Sequence, residues 1–205
     1  MRARDIMTTP VTVVRPETPI KEAAAVLAGN GFTALPVVDG DDRLVGVVTE
    51  ADLMRDRVPR DPRALCHPGE EMTTVATTTV GEVMTTPAIA MGAGTDVAVL
   101  AKALLDAGNR SMPIVDGSRV IGIVTRRDIV RVIARDDHTI AEDVRHRLEI
   151  YGGDRHWRVD VHDGMVAIGD QFDDETDRHV ATVLAEAVPG VVRATAFASR
   201  DEDDR

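Results

Sequence analysis

A chain of 205 residues is long enough for two or three small domains, and with aromatics at only 2% its cores are built from Val, Ile, Leu, Ala and Met. A single cysteine excludes an internal disulfide framework, and no run approaches the roughly 18 uninterrupted apolar residues of a membrane span. The net charge of −11 is uneven: residues 1–135 hold 16 Lys/Arg against 17 Asp/Glu, residues 136–205 hold 8 against 18, so the second part opposes nucleic acid and anionic lipid.

Met1 is followed by Arg2, Ala3, Arg4 and Asp5 without an apolar stretch behind them, which predicts a cytoplasmic protein. "IMTTP" at 6–10 then opens a unit that returns as "VMTTP" at 83–87, and "LPVVDG" at 35–40 returns as "MPIVDG" at 112–117, both at a shift of 77. The shift becomes 76 at Thr49 and Thr125, because the turn "DGDDR" is one residue longer than "DGSR". Residues 1–58 and 78–134 therefore read as two copies of one unit. In each, a short extended piece leads to a helix start at Thr18-Pro19 or Thr95-Asp96, with Pro suited to the first helical position. Ile20, Ala23, Ala24 and Leu27 recur at helical spacing, as do Val97, Leu100, Ala101 and Leu104, and Gly31 and Gly108 end those helices. Strands at 35–38 and 44–49, or 112–115 and 120–125, follow around Asp-Gly turns, and a second helix begins after Thr49 or Thr125. About 57 residues bury a core poorly alone, and a second copy supplies cover.

Residues 59–77, rich in Pro at their start, predict a linker loop; its Cys66-His67 pair lacks the further ligands zinc needs, so no metal site is expected. The glycines of "MGAGTD" at 91–96 align with "VRPETP" and belong to a loop, and no phosphate-loop, dinucleotide or Ser–His–acid pattern occurs, so an enzyme is not expected.

The order MTTP, Thr-Pro helix, G-x-x-A-L-P-V-V-D-G and L-V-G-V-V-T-x-x-D-L resembles the cystathionine β-synthase (CBS) domain family over both copies. The resemblance implies two β-α-β-β-α modules packed as a pseudo-twofold pair.

The composition changes near Ala134 to His138, and five of the six histidines lie beyond it, scattered rather than at metal spacing. Thr139-Ile140-Ala141-Glu142 reads as a capping-box start, with Ile140, Val144 and Leu148 on one face. "HWRVDVHDGMVAIGD" alternates as a hairpin. A helix follows with Val180, Val183, Leu184 and Ala187 as its apolar face, stopped by Pro189-Gly190, before a strand at 191–197. This helix–strand–strand–helix–strand order over 138–198, with Gly164, Gly169 and Pro189-Gly190, is similar to the BON domain family. The expected fold class is thus α+β (mixed α/β): a CBS pair, a small α-β-β-α-β BON-like domain and an acidic tail at 199–205. BON domains are associated with phospholipid or protein contact; this copy is acidic, which disfavours a membrane and leaves an unknown protein partner.

Thr49-x-x-Asp52 and Thr125-x-x-Asp128 are ordinary helix-start devices as they stand. The family resemblance adds a second role. CBS pairs hold adenosyl ligands, AMP, ADP, ATP or S-adenosylmethionine, in a central cleft, which implies Asp52 and Asp128 as ribose acceptors and Thr49 and Thr125 near phosphate or ribose oxygen. Walls are implied from Phe32, Thr33 and Ala34 in one copy and Asn109, Arg110 and Ser111 in the other, crosswise: Phe32 to Ala34 for Asp128, Arg110 and Ser111 for Asp52. The second motif has Arg126 and Arg127 where the first has Glu50 and Ala51, so unequal sites are expected, with phosphate favoured beside Arg. The resemblance further implies a non-catalytic sensor, with no cofactor required, that forms a homodimer through its helices. A structural protein-interaction or membrane-associated scaffold module with no nucleotide ligand is the alternative.

Overall fold

A computed structural model describes residues 1–55, 57, 78–153, 157–171 and 174–198. The expected linker with Cys66 and His67, and the acidic tail, lie outside the described residues.

Copy one runs through α1 (Ile20–Asn30), β1 (Ala34–Val38), β2 (Leu44–Thr49) and α2 (Glu50–Met54). Copy two runs through β3 (Met91–Gly92), α3 (Val97–Asp106), β4 (Ser111–Asp116), β5 (Arg119–Thr125) and α4 (Arg126–Ile133). In both, an antiparallel pair is joined from outside by a parallel partner: β3 runs beside β4, and at the equivalent place in copy one Val14 bridges Val37. Copy two thus has the expected β-α-β-β-α order, while in copy one the single Val14–Val37 bridge stands in place of the first strand. Gly31 and Gly108 close α1 and stand just past α3 with φ of 65° and 66°, the left-handed conformation that glycine adopts without penalty. Pro19 is the N-cap of α1 rather than its first residue, and the Thr18 hydroxyl accepts instead from the Arg15 N–H, 3.0 Å away, closing the turn before the helix. In copy two the Asp96 carboxylate accepts from Ala98 N–H at 2.8 Å.

The copies are interleaved. Thr85 of copy two pairs with Val47 on the free edge of β2, Thr85 N–H donating at 2.9 Å and Val47 N–H returning at 3.1 Å. Thr8 of copy one pairs in the same way with Ile123 on the edge of β5, at 2.9 and 3.2 Å. The exchange repeats at the helix starts, where Pro19 bridges Thr79 and Arg2 bridges Asp96. Val80 of copy two is fully buried in the core of copy one, with Ile20, Ala23, Leu27, Leu35, Val37, Val48 and Leu53. The β2 and β5 edges are therefore each met by the other copy's arm. Gly46 and Gly122 lie where the arms cross: a Cβ at either would stand 2.6 Å from the Sδ of Met84 or Met7 respectively.

Two compact units result, and their division runs through both copies rather than between them. One comprises Met7–Thr95 and Lys102–Thr125; the other comprises Met1–Ile6, Asp96–Ala101 and the chain from Arg126 onward.

Beyond copy two come α5 (Asp137–Gly152), β6 (Trp157–His162), β7 (Met165–Asp170), α6 (Glu175–Glu186) and β8 (Arg193–Ala198), in sheet order β6-β7-β8, with β6 and β7 antiparallel and β7 and β8 parallel. The hairpin turns on Asp163 and Gly164, both at positive φ (50° and 72°), as a tight two-residue turn requires. The Asp137 carboxylate accepts from the N–H groups of both, at 2.8 and 2.9 Å. Two expectations need correction. Asp136, not Thr139, caps α5, accepting from Thr139 N–H at 2.9 Å, so the helix begins earlier. The buried face of α6 is Ala181, Ala185 and the following Val188, while Val183 is 53% exposed. Small side chains at 181 and 185 let the helix approach its neighbours closely, and the expected Leu184 packs half-buried against the same core.

The carboxyls of Asp136 and Asp174, which caps α6, are held below the usual carboxylate range by backbone N–H donors: Thr139 to Asp136, and Asp177 and Thr176 to Asp174. A lowered folded pKa stabilises fully above the ordinary value near 3.8 and ceases to do so as pH falls through the folded values. Asn caps a helix about as well as Asp without titrating. The double variant Asp136→Asn/Asp174→Asn is expected to lose less stability than the parent in urea unfolding as pH falls below the ordinary carboxylate value of 3.8 through the lowered folded values. Equal losses would contradict the assigned caps.

Candidate functional site

The motif of copy one folds as its spacing dictates. Thr49, the last residue of β2, keeps extended backbone (φ −114°, ψ 165°) and caps α2. Its Oγ accepts from Asp52 N–H at 3.3 Å, while Asp52 Oδ2 accepts from Thr49 N–H at 2.9 Å and from the Thr49 hydroxyl at 2.7 Å. The capping box is complete. The single proton of the Thr49 hydroxyl is thereby used by Asp52, so Thr49 offers a ligand a lone pair rather than a donor.

A cavity of about 430 Å³ opens at this helix start, within the size range of small-molecule sites. Its lining lies wholly within the unit of Met7–Thr95 and Lys102–Thr125. Copy one contributes Thr33, Ala34, Thr49, Glu50, Ala51 and Met54; copy two contributes Thr85, Pro87, Ala88 and Ile89 from its exchanged arm, and Asn109, Arg110 and Ser111 from the approach to β4. Met54 and Ile89 are large apolar side chains, each 58% exposed, and they give the cavity an apolar wall from each copy. Ser111 is 8% exposed and Arg110 is on the surface. Glu50 and Arg110 form an ion pair across the two copies at 3.5 Å. Thr33 O accepts from Glu50 N–H at 3.2 Å, which seats the 33–34 segment beside its own copy's helix start.

The sequence-based candidates are distributed as follows. Thr49, Thr33, Ala34, Arg110 and Ser111 meet in this one cavity. Thr33 and Ala34, expected with Asp128, line this cavity beside Thr49, where Thr33 O accepts from Glu50 N–H. Asp52 supports the cavity through Thr49 and is not in its lining. Phe32 packs half-buried against the core of copy one. Thr125 ends β5, and Arg126, Arg127 and Asp128 open α4; Asp128 is 7% exposed, with Arg131 Nη1 3.1 Å from its Oδ1. None of these lines the cavity. The arm residues Thr85, Pro87, Ala88 and Ile89 are the part that sequence reasoning missed, although the repeated "MTTP" was the signal. Among the described residues, no group of three or more His, Cys, Asp or Glu is placed to hold a metal, and no helix is long and apolar enough to cross a membrane.

The CBS domain profile matches residues 3–58 and again 80–135, more than half of the chain. The protein belongs to the CBS-domain family. The match ends before α5, so the C-terminal α-β-β-α-β domain stands outside it. Over 135 residues this CBS protein is 31% identical to the chloroplastic CBS domain-containing protein CBSX1 of Arabidopsis thaliana, covering 58% of its own chain and spanning 57% of that relative. Among solved structures, CBSX2 of the same plant in complex with AMP is 31% identical, with 63% of this chain and 93% of that one covered and a TM-score of 0.53. The CBS domain pair of protein MJ0100, in complex with 5′-methylthioadenosine and S-adenosyl-L-methionine, is 28% identical, with 64% and 94% covered and a TM-score of 0.52.

Proposed function

We infer that this CBS protein is a non-catalytic sensor of an adenosyl ligand, bound in the cavity at the Thr49 helix start. The observation that carries the reading is the composition of that cavity: apolar walls from Met54 and Ile89, with hydroxyl, amide and guanidinium groups of Thr33, Thr85, Asn109, Arg110 and Ser111 around them. An adenine ring needs the first kind of surface and a ribose or phosphate the second. The AMP and S-adenosylmethionine complexes of its structural relatives support it. Asp52 holds the Thr49 cap in place, and Arg126, Arg127 and Asp128 at the start of α4 are the candidate residues of a second site.

Calorimetric titration with AMP, 5′-methylthioadenosine and S-adenosylmethionine tests this reading. A saturable heat is expected from at least one of them. No heat from any, with protein shown to be folded, overturns it and favours the ligand-free interaction module, which the self-satisfied capping box would equally suit.

The exposed apolar residues of α3 and α4, Val99, Leu105, Val130 and Ile133, support a homodimer through these helices. The acidic C-terminal domain, with its BON-like element order, is the part that relays occupancy to a protein partner in the cytoplasm. Relay requires the ligand to favour one arrangement over another. Small-angle scattering reads both points: a dimer mass, and a profile that changes when ligand is added. A monomer mass or coincident profiles would remove them.

A further inference from the structure

Glu50 and Arg110 are the only ionisable side chains among the described residues lining the cavity, and they belong to different copies. We propose that this pair sets the charge of the ligand, so that the cavity accepts an adenosyl compound with at most one phosphate group and rejects the di- and triphosphates. The inference rests on the adenosyl reading above and goes beyond it by naming the charge class.

Arg110 Nη1 lies 3.5 Å from Glu50 Oε2, and both side chains are well exposed (72% and 44%), so the pair is weak and a ligand can displace it. A single phosphate finds one guanidinium, whose paired N–H groups fit two of its oxygens. A second or third phosphate finds no further cation in the described lining and meets the Glu50 carboxylate, a like charge at close range. Glu50 is held there by its position: it opens α2, its N–H is fixed on Thr33 O at 3.2 Å, and an acid at a helix start is favoured by the dipole. A ligand without phosphate leaves the pair intact, so 5′-methylthioadenosine and S-adenosylmethionine remain within the accepted class.

The test is calorimetric titration of the full chain, and of Glu50→Gln and Arg110→Met, with AMP, ADP, ATP and 5′-methylthioadenosine in the absence of divalent cation. The parent is expected to bind AMP at least about tenfold more tightly than ATP, the preference that about 1.4 kcal/mol gives. Glu50→Gln, which keeps shape and removes charge, is expected to shrink that ratio by raising ATP affinity. Arg110→Met is expected to weaken AMP more than 5′-methylthioadenosine, which carries no phosphate. Ligand-free melting curves show whether each variant is folded. ATP binding as tight as AMP in the parent, or a ratio unmoved by Glu50→Gln, overturns the charge rule while leaving the adenosyl reading standing. Silence from all four ligands in the folded parent overturns the adenosyl reading itself.

Discussion

Replacing Gly46 by Val is expected to destabilise the protein by about 2 kcal/mol, within the usual range for overpacking, and to lower its melting temperature by about 4–8 °C. The glycine sits on β2 where the arm of copy two crosses it. The first carbon of any side chain would stand 2.6 Å from Met84 Sδ and 3.1 Å from the carbonyl oxygen of Thr85. The thioether can move aside, but the carbonyl cannot without straining the Thr85–Val47 pair that docks the arm. The branched side chain adds atoms to the same space. Because Thr85 and Pro87 also line the cavity, the variant is expected to weaken ligand binding together with stability. Shortening Met84 to Ala leaves room for the intruder, so a Gly46→Val/Met84→Ala cycle is expected to show a favourable coupling of about 0.5 kcal/mol or more. An unchanged melting temperature for Gly46→Val, or strictly additive effects, would contradict the arm exchange. Gly122, with the same 2.6 Å approach from Met7, is expected to behave alike.

The second large effect concerns Asp52. Its Oδ2 receives both the backbone N–H and the hydroxyl of Thr49, so Asp52→Ala leaves Thr49 without its reciprocal partner. Loss of such a box costs about 1 kcal/mol, up to about 2. The cavity is built on the helix start that this box fixes, so the affinity for AMP is expected to fall at least about tenfold, the equivalent of about 1.4 kcal/mol. Two readouts separate the roles: ligand-free melting reports the cap, and titration heat reports the ligand. For Asp52→Ala/Asp128→Ala, both are expected to fall. Lost binding with an unchanged ligand-free melting point would show that the carboxylates serve the ligand alone, against the geometry of the box. A fall in stability with unchanged affinity would confine them to the cap.

Much of this was legible in the chain. The duplication, the order of elements, the Asp-Gly turns and the closing glycines Gly31 and Gly108 rest on local chemistry, which a sequence displays directly. The capping box at Thr49 and Asp52 is of the same kind. What was not legible depends on which surfaces meet. The exchange of arms places Thr85, Pro87, Ala88 and Ile89 beside a motif almost 40 residues earlier, and nothing in their local pattern marks that partner. The burial of Ala181 and Ala185 in place of Val183 on α6 has the same origin, since periodicity identifies an apolar helix but tertiary packing selects its face. The assignment of Asp136 rather than Thr139 as the cap of α5 differs by three residues, the usual uncertainty where several capping residues stand together.

The central claim is that both copies build one adenosyl site, and methyl NMR of the full chain during a titration with AMP tests it most directly. Met54 and Ala51 come from copy one, and Ile89 and Ala88 from copy two. Methyl signals from both sets are expected to shift together and to fit one dissociation constant. Shifts confined to one copy, or no shifts in the folded protein, would contradict it.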